Sequence, residues 1–230
     1  MTARQPRRAL LVGLAGSLQD TIAGQLQSSG FVVRCASAVP VGTGASTPAS
    51  PGALAWDVGD YACCESGVQR AVAQLGGPVD TLISAAETDA RAMLTALGQP
   101  QWREAIKVNL GGHYNLVRAV LPGMQALQFG RIVLVKSSAA LAGSVASRTT
   151  GEGLHGFVRG LAVEAAPHGI TANLVSIGCL DEGRVHDLRI PAGRAATPDD
   201  LATAIAFLCG AAAGYITGNA LRIDGGLGSL

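Results

Sequence analysis

Charge is scarce in this chain. Of its 230 residues, 17 are Lys or Arg and 16 are Asp or Glu, which leaves 14% charged residues and a formal net charge of +1. A balance this even excludes a basic field for nucleic acid and an acidic, disordered tail. Lysine is nearly missing: Lys107 and Lys136 are the only two, so a catalytic lysine has few places to be. No run approaches the ~18 apolar residues of a membrane helix. The cysteines, Cys35, Cys63, Cys64, Cys179 and Cys209, show neither metal-ligand spacing nor a disulfide frame, which fits idle thiols in a reducing cytoplasm. Arg4, Arg7 and Arg8 ahead of Ala9-Leu10-Leu11-Val12-Gly13-Leu14 have the look of a secretory signal. Cleavage there would remove a first strand and turn that the rest of the chain requires, so a cytoplasmic location is expected.

What the chain has in abundance is apolar residues, 48% of the total, enough for one sizeable core. Short apolar runs alternate with longer segments of helical period, the pattern of a parallel sheet covered on both faces. Strands are expected at Ala9–Val12, Phe31–Cys35, Ala53–Trp56, Thr81–Ser84, Arg131–Val135, Thr171–Val175 and Ala220–Ile223. Helices are expected over 18–28, 61–75, 101–126, 148–166 and 198–210. Thr197 suits an N-cap, Pro198 the first helical position, and Asp199 and Asp200 complement the dipole. Two stretches break the rhythm: 36–52, rich in Gly, Pro, Ser and Thr where a helix would be due, and 178–190, short and polar. With no internal repeat, the expectation is a single α/β domain over 1–230, a Rossmann-like, doubly wound sheet of about seven strands.

Several stretches are jointly distinctive: Ile190-Pro191-Ala192-Gly193-Arg194 before Thr197-Pro198-Asp199-Asp200-Leu201-Ala202, then Tyr215-Ile216-Thr217-Gly218 and Ile223-Asp224-Gly225-Gly226. Gly169-Ile170-Thr171-Ala172-Asn173 followed by Gly178, Trp56-Asp57-Val58, and Trp102 through Asn109-Leu110 join them. Together they resemble the short-chain dehydrogenase/reductase family over essentially the whole chain. That resemblance implies an NAD(P) site, a tyrosine–lysine pair on one helix with a serine and an asparagine, and a subunit that associates through helices.

The cofactor motif is degraded. A dinucleotide needs glycines after the first strand, so that backbone can approach the diphosphate at a helix N-terminus. Where the family has T-G-x-x-x-G-x-G, this chain has Val12, Gly13, Leu14, Ala15, Gly16, Ser17, Leu18 and Gln19. Gly13 is in register, Gly16 is displaced by one, and Ser17 and Gln19 replace the other glycines. Gln19 is expected to obstruct the close approach of helix, strand and cofactor, and Asp20 to put a negative charge in the first helical turn. The ribose position falls near Ser37, with Arg34 close by. The family's N-N-A-G has become Ser84-Ala85-Ala86-Glu87, whose glutamate would fill the space beside the cofactor and repel a diphosphate. Gly13, Gly16 and Asp57 are remnants, although a tight strand-to-helix turn wants glycine with or without a ligand.

The catalytic set is broken as well. The family's tyrosine and lysine stand one turn apart on one helix face. Asn109 and Ser137 occupy the asparagine and serine positions. Aligning Gly153-Leu154-His155-Gly156-Phe157 through Asn173 without gaps puts Ser147 at the tyrosine and Gly151 at the lysine; keeping the serine spacing instead gives Thr150 and Leu154. Neither yields Tyr-x-x-x-Lys. Unactivated hydroxyls are poor acids near neutral pH. Lys136 adjoins Ser137 but is expected on the opposite side of its strand, and His113 and His155 read as packed or solvated. Residues 178–190 are too short for the family's substrate flap. No catalytic residue set is intact and no metal site is visible.

A complete core without chemistry points to the surface. Leu154, Phe157, Val158, Leu161, Ala162 and Ala165 form one helical stripe, and Ile106, Leu110, Tyr114, Val117 and Leu121 another. Much of each must pack on the sheet. The family associates through these helices, and the resemblance extends to two-subunit dehydrogenases with one degenerate subunit, as in hydroxybenzylsuccinyl-CoA dehydrogenase. The leading expectation is a non-catalytic subunit joined to an active relative through 101–126, 148–166 and the C-terminal region, with NAD(P) on that relative and none held tightly here. An atypical active oxidoreductase and a ligand-binding sensor or scaffold are the alternatives.

Overall fold

The computed structural model describes residues 6–38, 54–88, 92–137, 144–180 and 190–229. Its strands are β1 (Arg7–Val12), β2 (Phe31–Ala38), β3 (Leu54–Trp56), β4 (Thr81–Ser84), β5 (Gly130–Ser137), β6 (Ile170–Ile177) and β7 (Ala220–Ile223). They form one parallel sheet in the order β3-β2-β1-β4-β5-β6-β7. The chain therefore reverses direction across the sheet between β1 and β4, where crevices form at the carboxyl ends of strands. The helices are α1 (Gly16–Ser28), α2 (Tyr61–Leu75), α3 (Gln99–Ile106), α4 (His113–Leu127), α5 (Val145–Ala165) and α6 (Pro198–Cys209). The segment expected as one helix over 101–126 is α3 and α4 joined by a π-helical stretch, Lys107–Gly112. The low-complexity residues 39–53 lie outside the described residues, as do 181–189 of the shortened flap.

Strand alternation builds both cores. Leu10, Val12, Leu82, Ile132, Leu134 and Leu174 face α2, α4 and α5, against Val68, Leu116, Val120, Leu154 and Val158. Ala9, Leu11, Ile83, Val133, Val135 and Val175 face α1 and α6, against Leu18, Ile22, Leu26, Leu201, Ile205 and Leu208. Burial on both faces is why these strands read as continuous apolar runs.

Several elements begin earlier than expected, each for a polar reason. β1 starts at Arg7 because its guanidinium is held between the Phe31 and Phe129 rings, at 4.6 and 4.4 Å. It also donates to Thr81 Oγ1 and to the Cys209 carbonyl, both at 2.8 Å. α5 starts at Val145 because Ser144 caps it, accepting from the Ser147 amide. α6 opens as expected, with Thr197 and Asp200 forming a reciprocal capping box.

Candidate functional site

At the carboxyl ends of β1, β4 and β5 lies a cavity of about 480 Å³. It is lined by the Gly13–Leu18 turn, Ala85 and Glu87 after β4, Val135 and Lys136 of β5, and Ile177, Leu180 and Pro198. A small recess beside it is lined by Asn109, Ser137, Ser147, Thr150 and Gly151 together with Ala86, Glu87, His113, Lys136 and Leu154. The fold thus gathers Asn109, Ser137, Ser147 and Gly151 from elements far apart in sequence. The alternative alignment pair, Thr150 and Leu154, is buried, and the Thr150 hydroxyl donates back to the Ala146 carbonyl at 3.0 Å.

Four polar side chains of the recess, Asn109, Ser137, Ser147 and His113, are each held by hydrogen bonds. Asn109, 4% exposed, is presented by the π-helical stretch; its Oδ1 accepts from the Thr88 amide at 2.7 Å and its Nδ2 donates to the Thr88 carbonyl at 3.1 Å. Ser137 donates to Glu87 Oε2 through both its hydroxyl, at 2.6 Å, and its amide, at 3.1 Å. Glu87 therefore stands in the cavity as expected, tied to the serine. Ser147 belongs to the N-terminal cap of α5, its hydroxyl accepting from Ser144 at 3.1 Å. His113 is buried; its Nδ1 lies 2.8 Å from Ser84 Oγ and the ring also bonds the Ala86 backbone. Burial lowers this imidazole to about 4, so it is neutral near pH 7.

Lys136 corrects an expectation. It does share a face with Ile132 and Leu134, but that face carries α5, and the amine folds over Gly151: a Cβ built there falls 2.6 Å from Nζ. Lys136 lines both the cavity and the recess. Burial depresses its ammonium below the ordinary lysine value, while Glu152 and Glu87 oppose the shift. His155, 3.7 Å from Glu152, lines neither space and is depressed by burial and then by Lys136. Only strand parity combined with a mid-helix glycine on the facing helix could have signalled this contact.

The nucleotide remnants divide. Gly13 (φ +83°) is required by packing, because a Cβ would meet the Ala85 backbone at 2.7 Å; Gly16 (φ +58°) faces open space. Helix α1 starts at Gly16, has no side-chain cap and carries no acid in its first turn, so Asp20 lies beyond that turn, contrary to expectation. Gln19 is buried and does not line the cavity, so it does not narrow it. Asp57 accepts from the Gly59 amide at 2.9 Å and pairs with Lys107 at 3.3 Å. Arg34 turns to the Gln74 carbonyl, away from the cavity. Ser37 belongs to β2.

The family profile described as enoyl-(acyl carrier protein) reductase matches residues 21–228. The chain belongs to the short-chain dehydrogenase/reductase family. An acetoacetyl-CoA reductase of Shinella zoogloeoides is 33% identical over 185 residues, covering 74% of this chain and 76% of the relative. The 3-oxoacyl-(acyl-carrier-protein) reductase of Vibrio cholerae is 32% identical over 173 residues, 70% of this chain and 71% of the relative. Among solved structures, the TT0495 protein of Thermus thermophilus aligns with a TM-score of 0.80 at 30% identity, covering 97% of this chain and all of that one. Levodione reductase reaches a TM-score of 0.80 at 20% identity over 97% of this chain and 98% of that one, a likeness of fold alone. Ser147, Gly151 and Glu87 all line the recess beside the crevice of this sheet. No helix is long and apolar enough to cross a membrane among the described residues, and no His/Cys/Asp/Glu cluster among them could hold a metal.

Proposed function

We propose that this short-chain dehydrogenase/reductase chain is a non-catalytic subunit that pairs with an active relative. One observation carries the proposal: the recess offers serine at 147, glycine at 151, a Ser137 hydroxyl held by Glu87 and an Asn109 amide held by Thr88, and no tyrosine lines it. A ketone reduction needs a proton donor at the oxygen that becomes the alcohol. Serine is too weak an acid for this near pH 7, and the neutral, buried His113 is already bonded on both sides.

The residues fit a dinucleotide poorly. The α1 end offers free amides and a glycine turn, but the Glu87 carboxylate stands in the cavity and Asp57 is held by Lys107. We infer that this chain does not hold NAD(P) tightly and that the cofactor belongs to the partner. The carbonyl reductions for which its relatives are named make a ketone or hydroxyacyl substrate the expectation for that partner. Association through α3–α4, α5 and the C-terminal region is supported by apolar groups left outside the core: Tyr114, against the Phe157 ring at 6.4 Å, Val163 at 77% exposure, and Leu221 and Tyr215.

The test is the native mass of the complex purified from its own source, with every chain identified. A second, related chain bearing Tyr-x-x-x-Lys is expected; a complex of this chain alone would overturn the proposal. One observation favours a second reading, an atypical oxidoreductase: the Lys136 amine stands over Gly151. Turnover of a carbonyl substrate with NAD(P) by the purified chain would establish it.

A further inference from the structure

One charged group of the cavity has no counterpart among the described residues. Lys136 is 8% exposed and makes no hydrogen bond or ion pair with any described residue. Of the carboxylates that act on it, Glu87 is engaged by both donors of Ser137, and Glu152, 72% exposed, does not pair with it. Even partial desolvation of an ammonium without protein hydrogen-bond partners is unfavourable, and its three N–H donors can each take an acceptor.

The glycine beneath it is equally specific. Gly151 lies within α5 and has no left-handed backbone to explain it, at a place where alanine is the better helix former. What glycine supplies is room, since a methyl group would fall 2.6 Å from Nζ. On its other side Lys136 opens onto the cavity of about 480 Å³ shared with the uncapped start of α1. Beside the Glu87 carboxylate, which is tied to Ser137, the cavity therefore presents the Lys136 ammonium and the uncapped start of α1, both of which attract negatively charged oxygen.

We infer that Lys136 and Gly151 form an oxyanion-binding site: the ammonium, carried on β5 and admitted by the glycine of α5, receives a carboxylate or phosphate oxygen of a small molecule seated in the cavity. This goes beyond the subunit assignment, because it concerns a ligand of this chain itself and is read whether or not a partner is present.

Calorimetric titration of the full chain, in the assembly in which it purifies, with inorganic pyrophosphate and separately with malonate distinguishes phosphate from carboxylate chemistry. At least one is expected to bind, and Lys136→Met and Gly151→Ala are each expected to weaken it about tenfold or more. Gly151→Ala keeps the lysine and displaces only its amine, so loss there reports position. Melting temperatures of both variants are expected to stay level or rise, because one removes an unpaired buried charge and the other improves the helix. Failure of both anions to bind the unaltered chain, or binding of unaltered strength by both variants, would overturn the inference.

Discussion

Acidification is expected to destabilise this protein before its carboxylates titrate, through one residue. His113 lies in the first turn of α4, 1% exposed, between Ser84 Oγ at 2.8 Å and the Ala86 backbone. Burial lowers the imidazole from 6.5 to about 4. The unfolded chain therefore takes up a proton near pH 6.5 that the folded chain refuses until about pH 4. Stability is fully present above 6.5 and is lost as the pH falls through that interval. At 1.36 kcal/mol per pH unit the loss is about 3 kcal/mol, or roughly 6–12 °C in Tm for a chain of this size. Urea denaturation from pH 7.5 to 4.0 should show this decline, and His113→Asn, although weaker at neutral pH, should give a flatter curve. His155 is depressed in the same direction, so the difference between the two curves isolates His113. Parallel curves would refute the reasoning.

Other expectations follow from particular contacts. Glu87→Ala removes the carboxylate from the cavity and should strengthen NADPH binding about tenfold, read by nucleotide fluorescence; unchanged affinity would show that the glutamate is not what opposes the cofactor. Gly13→Ala meets the Ala85 backbone at 2.7 Å with φ at +83° and should cost about 3 kcal/mol in urea denaturation. Thr197→Ala should cost about 1 kcal/mol by removing the cap of α6, with the cavity's anion affinity unchanged. Val163→Arg, on the outer face of α5, should separate the proposed subunits in size-exclusion chromatography while leaving the melting curve of the isolated chain in place.

The strand and helix order was legible because a doubly covered parallel sheet writes itself as apolar runs between helical periods, and all seven strands fall where such runs do. Their ends were less legible. Arg7 is polar, yet it extends β1, since its charged head is met by groups from other elements, and β5 runs on past Val135 to Ser137. Arg7 and Arg131 both lie on the Phe129 ring, a contact without any local signature. The interruption of the helix over 101–126 by a π-helical stretch at Asn109 was not anticipated, although the stretch ends in Gly111-Gly112, poor helix formers.

For the site, sequence alone carried the expectation of missing groups: the family resemblance puts Ser147 and Gly151, or Thr150 and Leu154, where a tyrosine–lysine pair would be, and Glu87 where a glycine would be. Missing chemistry can be read one residue at a time. Where the remaining groups point was decided by tertiary structure. Glu87 and Ser137 are 50 residues apart and meet at 2.6 Å, and Asp57 and Lys107, also 50 apart, meet at 3.3 Å. Lys136 reaches Gly151 only because α5 packs on the face of β5 from which the lysine projects. Parity along a strand is local, but which helix covers that face, and whether a glycine there leaves room for an ammonium, depends on how distant segments pack.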